Sequence, residues 1–281
     1  MKICTISNEK MTFSVSTIGA EPKSLKTKQR EWLLQHKNED GTGLSPILFP
    51  LIGPLHEDKH TVDGIAYPMP MHGFAKTSLF EIKKITDNFV TLTLVSDDDI
   101  AKMYPYEFEL SVNYIVEENR LITEYIVENK GDKPMYYAIG SHIGFCLNTK
   151  KENYTMVFDR NMEKISDMTV YNECDEFSFD GCRLDIKDKF FEKGCITIGN
   201  HNSKAWRFVN REDNSSIAYK SEDFPYFTLW SIPKEPFICL ESWSFRSTHF
   251  CSGDSMSELP EICVLAPGES KSYAYTLEFD C

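Results

Sequence analysis

Basic side chains are the scarce element of this chain: of 281 residues, 30 are Lys or Arg against 43 Asp or Glu, a net charge of −13. Nucleic acids and anionic membrane surfaces both select basic patches, so neither is an expected partner. No apolar run approaches the length of a membrane span. The opening stretch Met1–Lys10 also lacks the apolar centre of a secretion signal, because Asn8, Glu9 and Lys10 interrupt it. A cytoplasmic location is therefore expected, with no membrane association. The nine cysteines form no C-x-x-C pair, and Cys146, Cys239 and Cys263 lie inside apolar runs. They read as reduced thiols, many of them buried. In that setting the glycosylation patterns at Asn153 and Asn214 carry no meaning. Heptads, fixed-period repeats and Gly/Ser linkers are missing too, so residues 1–281 read as one domain.

What the chain has is core-forming material, 41% hydrophobic and 13% aromatic, enough for a large interior. The pattern is that of strands. Ile3–Ile6 and Met11–Ile18 flank Asn8-Glu9, and Leu79–Thr86 and Phe89–Ser96 flank the hairpin signal Asp87-Asn88. In Phe108–Val116 the residues Phe108, Leu110, Val112, Tyr114 and Val116 share one face, strict alternation that marks a half-exposed strand. Further strands are expected at 121–127, 136–139, 217–220, 226–230, 237–240, 262–265 and 272–279. Residues 26–38 have poor helical spacing and read as strand plus loop. Residues 160–200, rich in Asp, Glu, Lys and Asn, read as long decorated loops. Many short strands with turns between them predict an all-β fold, an antiparallel sandwich or barrel.

The stretch Ser45–Phe74 combines an apolar run, a Pro/Gly-broken loop, an Asp63-Gly64 turn and a closing His-Gly-Phe, which reads as the wall of a pocket. Within it His56-Glu57-Asp58-Lys59-His60 has the H-E-x-x-H spacing by which zinc proteases set two imidazoles on one helix face. Gly53-Pro54 before it and Asp63-Gly64 after it leave barely room for two turns, with no apolar face to bury. A solvated charged loop is expected there, and no metal site. His72 in M-H-G-F and His142 in G-S-H-I-G-F differ in kind, each lying in apolar surroundings beside small residues. One such histidine is ordinarily a hydrogen-bonded core residue; two in matching contexts raise the prospect of a joint site. Glu241 closes the apolar run Phe237–Leu240. It is either a strand-end carboxylate facing water or a buried one, and burial costs several kcal/mol unless the group is partnered or its pKa rises. The neighbouring Trp243 favours burial, since an indole beside a carboxylate suits a sugar. Two imidazoles and a buried acid are what proton transfer on a neutral, polar small molecule requires.

The segments P-I-L-F-P-L-I-G, D-G-I-A-Y with M-H-G-F-A-K, A-I-G-S-H-I-G-F, L-W-S with F-I-C-L-E-S-W, and L-A-P-G-E-S follow in that order. Together they resemble the aldose 1-epimerase (galactose mutarotase) family, nearest its LacX-like subgroup, from about Ile3 to Phe279. The resemblance implies a large antiparallel β-sandwich of the galactose-mutarotase type. It implies that His72 and His142 bind near a sugar's ring oxygen, with His142 as general acid and Glu241 as general base, and that no metal or organic cofactor is needed. The implied reaction interconverts the α and β anomers of a hexose or related aldose, in a monomer or homodimer. Phe49, Phe74, Phe145, Trp230 and Trp243 would offer apolar faces to a pyranose, and Lys76 and Arg246 would grip its oxygens. The chain departs from the family where Pro54 follows Gly53 in place of an arginine, where Lys76 stands for another arginine, and where Ile143 and Ser242 replace prolines. Arginine's planar fork holds paired oxygens in a way that lysine and proline do not. Two alternatives therefore stand beside catalysis: a non-catalytic carbohydrate-binding protein on the same fold, and a sugar-phosphate mutarotase, which the acidic balance disfavours.

Overall fold

The computed structural model describes every residue except 29, 36–44, 167, 172–173, 175–176, 249–254 and 281. Period-two alternation builds its larger sheet. Phe108–Glu117 and Arg120–Asn129 each bury every second side chain and pair antiparallel, with Glu117 opposite Arg120 across the Glu118-Asn119 turn. Nine strands assemble around this hairpin, in the order Arg183–Asp185, Tyr154–Phe158, Ala205–Asn210, Ser216–Ser221, Ser270–Asp280, Arg120–Asn129, Phe108–Glu117, Phe89–Val95 and Glu81–Ile85. The Asp87-Asn88 turn joins the last two, its Thr86 N–H donating to the Phe89 carbonyl at 2.8 Å.

A second sheet of seven strands carries Thr169–Tyr171, Ile196–Gly199, Tyr226–Trp230, Phe237–Trp243, Gly140–Ser141 and Ile47–Leu48, with Ile143–Cys146 also paired to Phe237–Trp243. Its inner face meets the larger sheet through Phe227, whose ring lies 4.2 Å from Trp206 and 6.3 Å from Tyr219. Ile196, Ile198, Leu229, Ile238 and Leu240 fill the same layer at 0% exposure, each such side chain contributing about 1.5–3 kcal/mol. The result is the antiparallel β-sandwich that the strand pattern predicts. A third sheet, Ile3–Ser7, Met11–Ser16 and Pro22–Thr27, packs on the central hairpin through Phe13 and Tyr114, their rings 4.9 Å apart.

Two expectations are corrected. Residues 160–200 are not simply loops: Thr169–Tyr171 and Ile196–Gly199 extend the smaller sheet and Arg183–Asp185 edges the larger one. Strands of three or four residues are too short to display a period, and polar flanks mask them. At H-E-x-x-H, His56–Asp58 forms a single 3-10 turn with Glu57 and Asp58 at φ +53° and +52°, and no α-helix follows. The charged residues are exposed as expected, but His60 is fully buried on the strand Lys59–Val62. Its Nε2 lies 2.6 Å from the Met103 carbonyl oxygen and its ring packs between Tyr67 and Tyr104. In residues 26–38, Pro22–Thr27 supplies the strand, and Glu31 and Leu33 make isolated bridges; positions 36–38 lie outside the described residues. Among the described residues no helix is long and apolar enough to cross a membrane.

Candidate active site

The site is built on the outer face of the smaller sheet. Since Ile238, Leu240 and Ser242 face the larger sheet, Cys239, Glu241 and Trp243 face the other side, where Trp243 is itself packed among buried apolar side chains. Glu241 stands opposite Thr228, Thr228 opposite Thr197, and Thr197 opposite Tyr171. On the other side Gly140 pairs with Trp243 and Ile143 with Leu240. That constant register sets His142, between the two pairs, opposite Glu241. Tyr171, Thr197, Thr228, Glu241 and His142 thus form one row across the sheet.

Nε2 of His142 lies 3.6 Å from Oε1 of Glu241, with the two side chains 14% and 1% exposed. The other carboxylate oxygen, Oε2, accepts the indole N–H of Trp243 at 3.0 Å. Burial pushes the Glu241 carboxyl well above the usual carboxylate range, and the Trp243 N–H pulls it partly back. The Trp230 ring lies 5.4 Å from that of His142. Sγ of Cys239, two residues before Glu241, completes a cluster in which a donor atom from each of His142, Cys239 and Glu241 lies within 4.8 Å of the others.

His72 reaches the same place from a loop. Leu48 pairs with Gly140, which fixes the segment after it beside the row. The loop is then tied to that segment: Phe49 N–H donates to the His72 carbonyl, Ala75 N–H to the Phe49 carbonyl, and His72 N–H to the Gly53 carbonyl. At Gly73 (φ +77°) a Cβ would lie 2.1 Å from the Phe49 carbonyl oxygen, so close an approach admits only glycine. The Gly53 N–H donates to Nδ1 of His72 at 3.1 Å. With Nδ1 accepting, the neutral ring carries its hydrogen on Nε2. Burial, then the charges of His142 and Lys76, pull the His72 pKa down to about 3. The two imidazoles lie 5.9 Å apart, edge to face.

The structure therefore brings His72, His142, Glu241 and Trp230 together, with Lys76 close enough to act on His72. It does not present Phe49, Phe74 or Phe145 to a ligand. Phe49 is 0% exposed among Phe74, Tyr104, Phe108 and Tyr137, and Phe145 is 0% exposed against Phe279. These rings are core. Trp243, 4% exposed, is also no stacking face; its contribution is the N–H that holds Glu241. Nη1 of Arg246 donates to the Tyr171 hydroxyl at 3.2 Å, at the far end of the row. Pro54 is exposed, and its carbonyl accepts the Thr248 hydroxyl. Sequence reasoning missed Thr197, Thr228 and Tyr171, and it had Cys239 as a buried thiol with no role. Alternation within 226–230 and 237–243 was the signal that would have grouped Thr228, Cys239, Glu241 and Trp243.

Comparison with known proteins bears on the family and the fold. A family profile described as Aldose 1-epimerase matches residues 2–278. Protein LacX, plasmid, of Lactococcus lactis subsp. lactis is 27% identical, with 97% of each chain covered. Among solved structures, a galactose mutarotase-like protein from Lactobacillus casei ATCC 334 superposes with a TM-score of 0.88 at 24% identity, covering 99% of this chain and 100% of that one. Galactose 1-epimerase from Lactobacillus acidophilus NCFM gives 0.65 at 15% identity, covering 98% and 93%. The shared fold is the galactose mutarotase-like sandwich.

Proposed function

The chain belongs to the aldose 1-epimerase family, and on that footing we propose that it interconverts the α and β anomers of a hexose or related aldose through His142 and Glu241. One observation carries the reading: an imidazole nitrogen and a carboxylate oxygen 3.6 Å apart on one buried row. The two oxygens that exchange protons when a hemiacetal opens are bonded to the same carbon. Acid and base must then be neighbours.

Ionised Glu241 takes the anomeric hydroxyl proton at Oε1 while protonated His142 gives its Nε2 proton to the ring oxygen. The bond from the anomeric carbon to the ring oxygen breaks, and the anomeric C–O becomes the aldehyde carbonyl. Rotation about the adjoining C–C bond presents the other face. The freed hydroxyl then adds, returning its proton to His142 while Glu241 protonates the new anomeric oxygen. Each transfer is of a kind that contributes about 10²–10⁴-fold. Because burial favours the protonated carboxyl, the adjacent imidazolium is what sustains the ionised base. Trp243 occupies Oε2 and leaves Oε1 for the transfer. His72 stays neutral and donates from Nε2 to a sugar oxygen. Anchoring, without the arginine whose place Pro54 takes, falls to Lys76; Arg246, held on Tyr171 at the far end of the row, stands too far from His142 to share it.

A polarimetric assay of anomer exchange over a panel of aldoses tests this. Wild-type protein should accelerate exchange for at least one sugar, and Glu241→Gln should return it to the buffer rate. Sugar binding with exchange at the buffer rate would instead establish the non-catalytic carbohydrate-binding alternative.

A further inference from the structure

The acid–base chemistry leaves the thiol of Cys239 unused, although it sits against both reacting groups. We propose that Cys239, His142 and Glu241 bind a soft or borderline divalent cation, zinc foremost, and that occupation silences the acid–base pair. The donor set decides the class of ion. A thiolate, an imidazole and a carboxylate together suit Zn²⁺ or Cd²⁺, whereas Mg²⁺ and Ca²⁺ require oxygen donors throughout.

The geometry is close to what such an ion demands. Donors in tetrahedral coordination at zinc's bond lengths lie about 3.3–3.6 Å from one another. The His142–Glu241 pair stands at 3.6 Å already, and no donor pair of the cluster exceeds 4.8 Å. Closure thus requires a movement of about an ångström, within the reach of a cysteine or glutamate side-chain rotation. The strand fixes the origin of two ligands, since Cys239 and Glu241 are alternate residues on one face, and the register fixes the third. Cys239 is 0% and Glu241 1% exposed, so the ion enters from the side of His142, whose ring is 14% exposed. Three protein ligands leave a fourth position for water. Binding replaces the S–H bond of Cys239 by a sulfur–metal bond, and the proton passes to solvent. It also binds an oxygen of Glu241 and Nε2 of His142, whose proton passes to solvent as well when the ring is protonated, so neither group can move a proton.

Binding is independent of the functional reading; only the inhibition rests on it. Cobalt(II) is the probe, because a cobalt–thiolate bond gives a charge-transfer band in the near ultraviolet. Titration of the full chain should produce this band, Zn²⁺ should displace it, and Mg²⁺ and Ca²⁺ should not. Cys195→Ser should keep the band, which controls for the other thiols. Cys239→Ser and Cys239→Ala, checked for folding by circular dichroism, should both lose it, and His142→Asn should weaken cobalt binding by at least about tenfold. Zinc should stop anomer exchange in the wild type, reversibly on chelation, and leave any residual exchange of Cys239→Ser unaffected. A missing band, or one that survives in either folded Cys239 variant, overturns the proposal. A band that follows Cys239 in a protein with no metal-free exchange activity supports the metal site and refutes the mutarotase reading.

Discussion

Trp243→Phe is the sharpest probe of the candidate base, because it removes one N–H while keeping an aromatic ring on the strand. That N–H donates to Oε2 of Glu241 at 3.0 Å, where the carboxylate side chain is 1% exposed. A hydrogen bond to a charged group contributes about 1.5–3 kcal/mol. The ionised carboxylate accepts more strongly than the protonated acid, so the loss falls on the ionised form. At a pH below the group's pKa, 1.5–3 kcal/mol is about a 10- to 150-fold smaller fraction of ionised base. On the acid side of that pKa kcat/KM should fall by that factor and recover as the pH rises, the acid limb having moved up. Stability has a fixed sign as well. The Glu241 pKa is raised by folding, so its contribution is full at low pH and lost as the pH climbs through the folded value. Trp243→Phe should move that loss further up the pH scale, as read by thermal melts. Polarimetry from a pure anomer across a pH series measures the first effect. A loss of kcat/KM by one constant factor at every pH, with the acid limb unmoved, would refute the role given to the indole.

Other expectations follow from the same geometry. Phe49→Ala should cost about 3–5 kcal/mol of stability in a denaturant melt with KM unchanged for the folded fraction; a raised KM without destabilisation would return Phe49 to the pocket. Gly73→Ala should cost at least about 1–3 kcal/mol, since the site combines positive φ with a backbone contact of 2.1 Å; calorimetry reads it as a lower Tm. His72 is pulled down to about 3 and His201 to about 4, both chiefly by burial. Such groups stabilise above their unfolded value of about 6.5 and cease to do so as the pH falls through 4 and 3. Melting temperature should therefore drop on acidification, and His201→Asn should flatten part of the drop.

The sandwich was legible because its strands alternate. Phe108–Glu117 shows five buried positions in strict period, and no helix-like spacing competes with it. The site was legible only in part. In the sequence Glu241 closes an apolar run, yet the strand continues to Trp243, because Ser242 and Trp243 pair with Phe227 and Tyr226. Cysteine and tryptophan look apolar on either face of a sheet and threonine favours strands on both, so alternation in F-I-C-L-E-S-W and Y-F-T-L-W is hidden from a hydrophobicity count. Aromatic rings carry no label either. Phe49 resembles a sugar-stacking residue until Phe108 of the larger sheet and Tyr137 of the short strand Met135–Tyr137 close around it.

The positions at which the resemblance implies prolines have a local explanation in the same sheet. Ser242 retains the N–H that proline would lack and donates it to the Ser141 hydroxyl at 3.1 Å, while Ser141 in turn lies 3.3 Å from the Tyr219 hydroxyl of the larger sheet. Ile143 pairs with Leu240 as an ordinary strand residue. Directly behind Glu241 and His142, then, the neighbours Ser242 and Ser141 join the two sheets through hydrogen bonds. Since successive side chains of a strand point to opposite faces, the inward serines fix the backbone from which the outward acid and base project. Loss of a proline's rigidity at Ser242 is thus offset by a hydrogen bond that proline cannot make, and the spacing of the reacting groups rests on that serine pair.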